Sequence, residues 1–305
     1  MLRKTGQFVW GTCILLLMGI STFVLTSSII VLSIFKFLVP RGVAQNFVRR
    51  FLAGIAELWV SINNFLFSLS RNTHWDLEIP HDLERRGCYL VNCNHQSWVD
   101  ILVLHRCFNR RLPFLRFFLK SELIRVPFLG ATWWALDFPF MKRASKAQLA
   151  RRPRLRGNDL ESARKACEIF KDIPVAMMNF PEGTRFTTEK YGAGNSPYKY
   201  LLQPRIGGVG QVLFALGDQL NALIDVTIVY PRNDDSRLAP TFWQFVSGQL
   251  PEIVVRAEQR AIPAHLLGRN FKKDREFRRE LESWNNSLWL EKDELISSIL
   301  RGHRT

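Results

Sequence analysis

The sequence predicts an α/β fold, with a central, mostly parallel sheet flanked by helices and preceded by an N-terminal hydrophobic membrane-anchoring helix and an amphipathic helix. After residue 72, short apolar runs alternate with segments of helical periodicity, as in parallel sheets covered by helices. Before residue 73, a long uncharged run is followed by apolar residues at three-and-four spacing. We therefore expect an anchor and interfacial helix over residues 1–72 and a globular domain over residues 73–305. Its core would cover about 85–260 and its helical tail 265–305.

The anchor is predicted from the run between Phe8 and Phe35, which contains no charged residue. Crossing the hydrocarbon core of a bilayer takes about 20 such residues. A cleavable signal peptide has a shorter apolar core and a small-residue cleavage site, so we expect this run to be retained. Basic residues after the run outnumber Arg3 and Lys4 before it. By the positive-inside tendency, this predicts an inner-membrane protein whose globular domain faces the cytoplasm.

The amphipathic helix is predicted from apolar residues spaced by three and four between Val48 and Leu69. Polar residues such as Glu57 and Ser61 collect on its other side. A helix packed on the globular core would give the same pattern, but Arg49 and Arg50 at its start favour an interfacial helix. Two arrangements stay open, a hairpin of both helices that dips into the membrane and a single full span by the first.

Strands and helices alternate through the globular domain. Strands are expected near residues 88–93, 115–120, 174–180, 222–230 and 252–257, and helices near 98–108, 121–135, 158–171, 208–216 and 271–299. Residues 186–204 are polar and too long for a tight connection. They predict a surface loop that could cover a site.

The net charge of +15 and the pI near 10.1 predict an anionic partner. Seven basic residues and no acid lie between Lys142 and Arg156. Such a run is most often a solvated face, but behind a membrane anchor it favours attraction to lipid headgroups or to a phosphorylated substrate. No helix-turn-helix, zinc-finger or aromatic RNA-binding signature accompanies the charge, so we expect no nucleic acid partner.

The five cysteines show neither Cys-x-x-Cys spacing nor a companion pair of histidines. A structural zinc site is therefore not expected. An odd, scattered set of cysteines is typical of a reducing compartment.

A candidate general base lies in the segment from Asn94 to Asp100, directly after the apolar run 88–93. In one continuous helix, His95 and Asp100 would lie about 140° apart around the axis and could not touch. If the helix instead begins at Trp98 with Ser97 as its N-cap, Asp100 can reach back to the His95 ring. A carboxylate on one ring nitrogen leaves the other free to take a proton from an alcohol. A plain helix start with a solvated histidine is the competing interpretation.

A second candidate motif is Pro181-Glu182-Gly183-Thr184-Arg185, at the end of a predicted strand. Open α/β sheets place ligand sites at such strand ends. The guanidinium of Arg185 could hold a phosphate by two parallel hydrogen bonds. A surface turn with a solvated arginine is the simpler alternative for this motif alone.

The two motifs in this order, with Phe140-Met141-Lys142-Arg143 between them, resemble the glycerolipid acyltransferase family that makes phosphatidic acid from lysophosphatidic acid. The resemblance covers roughly residues 85–235. The tail from Trp284 to Ile296 is similar to the tails of bacterial inner-membrane members.

The resemblance implies a role for each motif residue. His95 would be the general base on the acceptor hydroxyl, and Asp100 its orienting partner. Arg185 would bind the acceptor's phosphate, with Lys120 and Arg143 as helpers. The remaining motif residues would shape the phosphate pocket (Glu182, Gly183 and Thr184) or hold the histidine turn (Asn94 and Ser97).

The same resemblance implies the substrates. The acyl donor would be acyl-CoA or acyl-carrier protein, and the acceptor a lysophospholipid in a membrane, with no metal or other cofactor. The acyl chain would lie in a groove lined by residues 113–138. One departure concerns the strand from Asp225 to Pro231, where many members have Val-Pro-Val. It resembles the subgroup containing lysophosphatidylinositol and lysocardiolipin acyltransferases, which leaves the acceptor headgroup open.

Two rival functions are compatible with the same residues. A transacylase would move chains between phospholipids without a thioester, so its activity would survive omission of acyl-CoA. A membrane-anchored binding protein would use the basic run 142–156, and its activity would survive loss of the His95 ring.

Overall fold

The computed structural model describes residues 2–40, 42–69, 72–141, 158–231 and 239–303. The helices are α1 (Leu2–Leu32), α2 (Phe35–Leu38), α3 (Val43–Ser68), α4 (Val99–Phe108), α5 (Leu129–Ala135), α6 (Asn158–Cys167), α7 (Thr188–Gly194), α8 (Ile206–Leu216), α9 (Phe242–Val246) and α10 (Arg275–Gly302). The strands are β1 (His74–Glu78), β2 (Cys88–Cys93), β3 (Leu115–Arg116), β4 (Leu119–Lys120), β5 (Phe140–Met141), β6 (Val175–Asn179), β7 (Ala222–Val229) and β8 (Glu252–Arg260).

Six strands form one sheet in the order β1-β8-β7-β2-β6-β3. Every neighbouring pair is parallel except β7 and β8, whose register pairs Leu223 with Arg260. Strand β2 lies between β6 and β7, so the carboxyl ends of these three parallel strands meet at one edge. The predicted fold class, a mostly parallel sheet flanked by helices, is confirmed.

The three central strands are almost entirely buried on both faces, which explains their predominantly apolar sequences. One face packs on α4 and α9, through residues such as Val103 and Phe245. The other face packs on α8 and α10, through residues such as Val212 and Leu281. The sheet is thus the middle layer of three and holds its strand ends in fixed positions.

Helices α1 and α3 pack against each other as a hairpin, and both are long and apolar enough to cross a membrane by length and composition. The hairpin also contacts the globular domain at two places, near the start of α1 and at α2. Phe8 contacts Trp243 with ring centroids 5.6 Å apart, and Phe37 stacks on Trp134 at the same distance. Many of its apolar side chains remain exposed, among them Phe47 and Phe51.

The predictions for residues 115–135 were wrong in detail. The expected strand 115–120 is two short strands, with β3 in the main sheet and β4 paired to β5. The expected helix 121–135 is a 3₁₀ helix over Ser121–Arg125 followed by α5. Proline disfavours helical geometry in the residue before it, and Val126, which precedes Pro127, is extended.

Residues 186–204 are not a simple surface loop. They contain α7, whose N-terminus is capped by the Thr187 side chain, and then pack on α10. Asp293 accepts hydrogen bonds from the backbone N–H groups of Lys199 and Tyr200, and Trp289 donates to the Leu202 carbonyl. This segment is therefore fixed to the C-terminal helix.

Candidate active site

The His95 ring lies at the carboxyl end of β2, within hydrogen-bonding distance of Asp100. Nδ1 of His95 is 2.9 Å from Oδ2 of Asp100, which also accepts from the backbone N–H groups of Gln96 and Ser97. The carboxylate is fully buried and accepts hydrogen bonds, so it places the ring proton on Nδ1. This leaves the Nε2 lone pair available. The interpretation as a continuous helix is excluded, because α4 begins after the turn that contains His95.

Helix α4 begins at Val99, one residue later than predicted, and Trp98 rather than Ser97 occupies the N-cap position. The Ser97 hydroxyl still accepts from the Val99 N–H at 3.1 Å, and it donates to the Pro240 carbonyl at 2.6 Å. The side-chain amide of Asn94 bonds both backbone groups of Ile228, at 2.8 Å each. Both residues thus tie the histidine turn to the segments around β7.

Tyr230 is a site residue that the sequence did not reveal. Its hydroxyl donates to Oδ1 of Asp100 at 2.6 Å, so both carboxylate oxygens have partners. Burial and the neighbouring Asp100 raise the pKa of Tyr230 well above its ordinary value, which keeps the phenol protonated and able to donate. The available signal was its position directly after β7, next to the end of β2.

Phe180 supports the other side of the imidazole. The two rings are stacked, with centroids 3.9 Å apart and an angle of 15° between their planes. Phe180 follows β6, the strand beside β2, so the sheet itself brings the two rings together. The His95 ring is held between a carboxylate at its edge and a phenyl ring on its face.

Glu182 is buried, and each of its carboxyl oxygens accepts from a backbone N–H. Oε1 accepts from His95 at 2.8 Å and Oε2 from Leu202 at 3.1 Å. Burial raises the pKa of Glu182 to about 8, although the two N–H donors oppose this shift. Glu182 therefore links the two loops that border the site.

The turn after Glu182 presents cationic side chains. Gly183 has φ +69°, a conformation that glycine adopts without strain. The Arg185 guanidinium lies 4.7 Å from the centroid of the Trp98 ring, and Thr184 accepts from the Lys190 ammonium at 2.7 Å. Within the described part of the chain, Arg185 makes no ion pair with a carboxylate. It is consequently available for an anionic ligand.

Arg205 is a second residue that the sequence did not reveal. Its side chain lies next to Gly183, where a Cβ would be 3.6 Å from its Cδ, and its backbone N–H donates to Pro181. Like Arg185, it is without a carboxylate partner among the described residues. The sequence offered only a single arginine ahead of α8, which is no signal by itself.

These side chains open into one groove of about 2340 Å³. Its lining includes His95 and residues 180–185, together with apolar residues (Ile101, Phe117, Phe118 and Met178) and further basic residues (Lys190, Arg205, Lys272 and Arg278). Of the expected acyl-chain stretch 113–138, only Phe117, Phe118, Ser121 and Glu122 reach the groove. Much of the remainder, including Phe114 and Phe138, packs on α3.

Two predicted helpers are not placed in the groove. The Lys120 side chain is exposed and is not part of the lining, although Ser121 and Glu122 next to it are. Arg143 and the basic run 142–156 lie outside the described residues. The roles of Lys120 and Arg143 stay predictions.

The arrangement can remove a proton from a bound hydroxyl and hold an anion beside it. A family model described as Acyltransferase matches residues 74–229, just over half of the chain and all the motif residues discussed above. This chain belongs to the glycerolipid acyltransferase family. The predicted family resemblance is thereby confirmed.

Relatives within this acyltransferase family include lysocardiolipin acyltransferase 1 of Mus musculus, which is 28% identical over 230 residues, covering 70% of this chain and 55% of the relative. The 1-acyl-sn-glycerol-3-phosphate acyltransferase epsilon of Mus musculus is 25% identical over 216 residues, covering 65% of this chain and 56% of the relative. This acyltransferase thus spans about half the length of the curated relatives it matches. The 1-acyl-sn-glycerophosphate acyltransferase PlsC of Thermotoga maritima aligns over 90% of this chain and 95% of its own, at 13% identity and a TM-score of 0.47.

Proposed function

We propose that this acyltransferase moves a fatty acyl chain from acyl-CoA or acyl-carrier protein to the sn-2 hydroxyl of lysophosphatidic acid or a related lysophospholipid. The single observation that carries the proposal is the His95–Asp100 pair, 2.9 Å apart, with His95 lining the same groove as Arg185, which pairs with no carboxylate among the described residues. A base for a hydroxyl and a cation for a phosphate are the two functions that such an acceptor requires.

In the proposed reaction, His95 takes the proton of the acceptor hydroxyl on Nε2 as the oxygen attacks the thioester carbonyl. Asp100 holds the ring in the correct tautomer and stabilises the imidazolium that forms. The tetrahedral intermediate then expels the thiolate, which takes the proton back from His95. The products are the ester and the free thiol, and His95 is neutral again. No covalent acyl-enzyme forms.

The oxyanion of that intermediate needs hydrogen-bond donors. The amides of the histidine turn are already engaged, since His95 donates to Glu182 while Gln96 and Ser97 donate to Asp100. The Gly183 amide donates to the Phe180 carbonyl. The backbone N–H groups of Glu182 and Thr184 have no hydrogen-bond partner within the described residues. We therefore assign the oxyanion to these two amides.

For the acceptor's phosphate we assign Arg185 together with Arg205. Two guanidinium groups beside the same turn suit a phosphate monoester, which carries up to two negative charges. The two mouse relatives, a lysocardiolipin acyltransferase and a 1-acyl-sn-glycerol-3-phosphate acyltransferase, favour lysocardiolipin and 1-acylglycerol-3-phosphate as acceptor classes. Both carry a phosphate next to the hydroxyl that is acylated.

We further propose that the hairpin α1–α3 docks the enzyme on the cytoplasmic leaflet of the inner membrane without crossing it. From Phe8 to Leu32, α1 is about 36 Å long, more than the roughly 30 Å hydrocarbon core. Because the globular domain touches Phe8 at one end and Phe37 beyond the other, an upright span would draw that domain into the lipid. Of the two arrangements left open by the sequence, the hairpin is therefore favoured.

The proposed function is tested with purified enzyme in vesicles, radiolabelled acyl-CoA or acyl-carrier protein, and a panel of lysophosphatidic acid, lysophosphatidylinositol and lysocardiolipin. Thioester-dependent labelling of at least one acceptor is the expected result. Transfer that is undiminished without any thioester would establish the transacylase instead. No transfer to any acceptor from either donor would overturn the proposal.

Replacing Arg185 with alanine should raise the KM for lysophosphatidic acid about tenfold to a hundredfold and leave kcat nearly unchanged. A hydrogen bond to a charged group contributes about 1.5–3 kcal/mol, and this contribution acts before and during the reaction alike. Initial rates over a range of acceptor concentrations measure both constants. The matched control is Arg125→Ala, an exposed arginine outside the groove lining. An unchanged KM in Arg185→Ala would remove this residue from the phosphate site.

A further inference from the structure

A second cavity, of about 450 Å³, lies at the closed end of the hairpin and shares no lining residue with the main groove. It is formed where α2 and the start of α3 meet the residues around the end of α5. Its lining includes Lys36, Phe37, Gln45, Arg49, Trp134 and Asp137. None of these residues has a role in the proposed acyl transfer.

The cavity contains more positive than negative charge. The Asp137 carboxylate is 2.9 Å from the Lys36 ammonium and 3.5 Å from Nε of Arg49. Two cations therefore share one carboxylate. The Lys36 ammonium also donates to the Ala135 carbonyl, which accepts the hydrogen bond but does not offset the charge. A net positive charge remains in a partly enclosed space.

Arg49 has unused hydrogen-bonding capacity in this cavity. Its Nε is buried and makes no hydrogen bond within the described part of the chain. Its Nη1 donates to the Asn46 side chain at 3.1 Å. Buried guanidinium N–H groups are costly to leave without an acceptor. The missing acceptor would be an anion, because Oδ2 of Asp137 lies 3.5 Å from this Nε without forming a hydrogen bond and Oδ1 already faces Lys36.

The surroundings of the cavity indicate where such an anion would come from. The helices that line it carry exposed apolar side chains, including Phe37, Leu38 and Phe47, each with 70% of its surface exposed. Phe37 and Trp134 stack at 17° and form one wall. Tryptophan is enriched at the level of lipid headgroups, and basic side chains there attract anionic lipids. A docked hairpin would thus bring this cavity to the phosphate layer.

We propose that this cavity binds the phosphate of an anionic phospholipid headgroup, with Arg49 as its main donor and Lys36 supplying further positive charge. Inorganic phosphate offers the same chemistry from solution, and the test separates the two sources. The proposal depends on membrane docking and not on acyl transfer. Failure of the catalytic assignment would therefore leave this lipid site unaffected, and the reverse is also true.

The test uses the protein with all 305 residues in a neutral detergent, titrated calorimetrically with dihexanoyl phosphatidylglycerol, dihexanoyl phosphatidylcholine or inorganic phosphate. Phosphatidylglycerol should bind, and Arg49→Gln should weaken that binding by roughly tenfold, the loss of one charge-assisted donor. Arg50→Gln is the matched control, because it removes the same charge from the adjacent, exposed arginine that does not line the cavity. Its dissociation constant should stay at the parent value.

A second variant should change the affinity for phosphatidylglycerol in the opposite direction. Asp137→Asn removes the competing carboxylate and should tighten phosphatidylglycerol binding several-fold, and asparagine tolerates the φ of +60° at this position. If Arg49→Gln and Arg50→Gln weaken phosphatidylglycerol binding equally, the lipid is held by diffuse electrostatic attraction and not by this cavity. Equal affinity for phosphatidylcholine or for inorganic phosphate would exclude an anionic headgroup site.

Discussion

Replacing His95 with alanine should lower kcat by about a hundredfold to ten-thousandfold, the contribution of a positioned general base. The expected loss is large because no other described side chain offers a basic nitrogen at this position, between Asp100 and Phe180. The KM for the acceptor should change little, since Arg185 and Arg205 are expected to hold its phosphate. Acyl transfer from labelled acyl-CoA to a lysophospholipid in vesicles measures both constants.

The matched control is His81→Ala, which removes an exposed histidine from a loop outside the groove lining. Its kcat should equal that of the parent. Near-parental activity in the His95→Ala protein would exclude His95 as the base and would favour a binding role for the chain. A circular dichroism spectrum identical to the parent's shows that the loss is chemical and not a failure to fold.

The short-range part of this site could be predicted from the sequence. His95 and Asp100 are five positions apart and follow a mostly apolar run, so a strand, a turn and a helix start were the natural interpretation. The pairing depended only on where the helix begins. The helix begins at Val99, one residue later than predicted. This difference does not alter the pairing of His95 with Asp100, because the Asp100 side chain still reaches back to the turn.

The long-range part could not be predicted, since it depends on which strands become neighbours. Tyr230 reaches Asp100 only because β7 lies beside β2, and Phe180 reaches His95 because β6 lies on its other side. Arg205 joins the site across the turn at Gly183, without any motif of its own. Strand β1 was missed for a related reason, because it is a partly exposed edge strand whose composition does not alternate strongly.

Replacing Lys292 with methionine should lower the free energy of unfolding by about 3–5 kcal/mol, the usual cost of removing one partner from a buried ion pair. The Lys292 side chain is fully buried in α10, and its ammonium is 2.7 Å from Oδ1 of Asp225 on β7. It also donates to the Val226 carbonyl at 2.6 Å. Without it, Asp225 keeps a single cationic partner among the described residues, Arg260 at 3.8 Å. Urea unfolding of the detergent-solubilised protein measures the change.

The control for surface charge is Arg279→Met on the same helix, where the side chain is exposed and the expected change is within about 0.5 kcal/mol. The double variant Asp225→Asn with Lys292→Met should recover much of the loss, because no buried charge is left unpaired. From Asp225, strand β7 runs through Ile228, which bonds Asn94, and is followed directly by Tyr230, which bonds Asp100. Loss of Lys292 should therefore also lower kcat at temperatures where the protein stays folded, and the double variant should restore it. A Lys292→Met protein as stable as Arg279→Met would show that the C-terminal helix does not fix this strand.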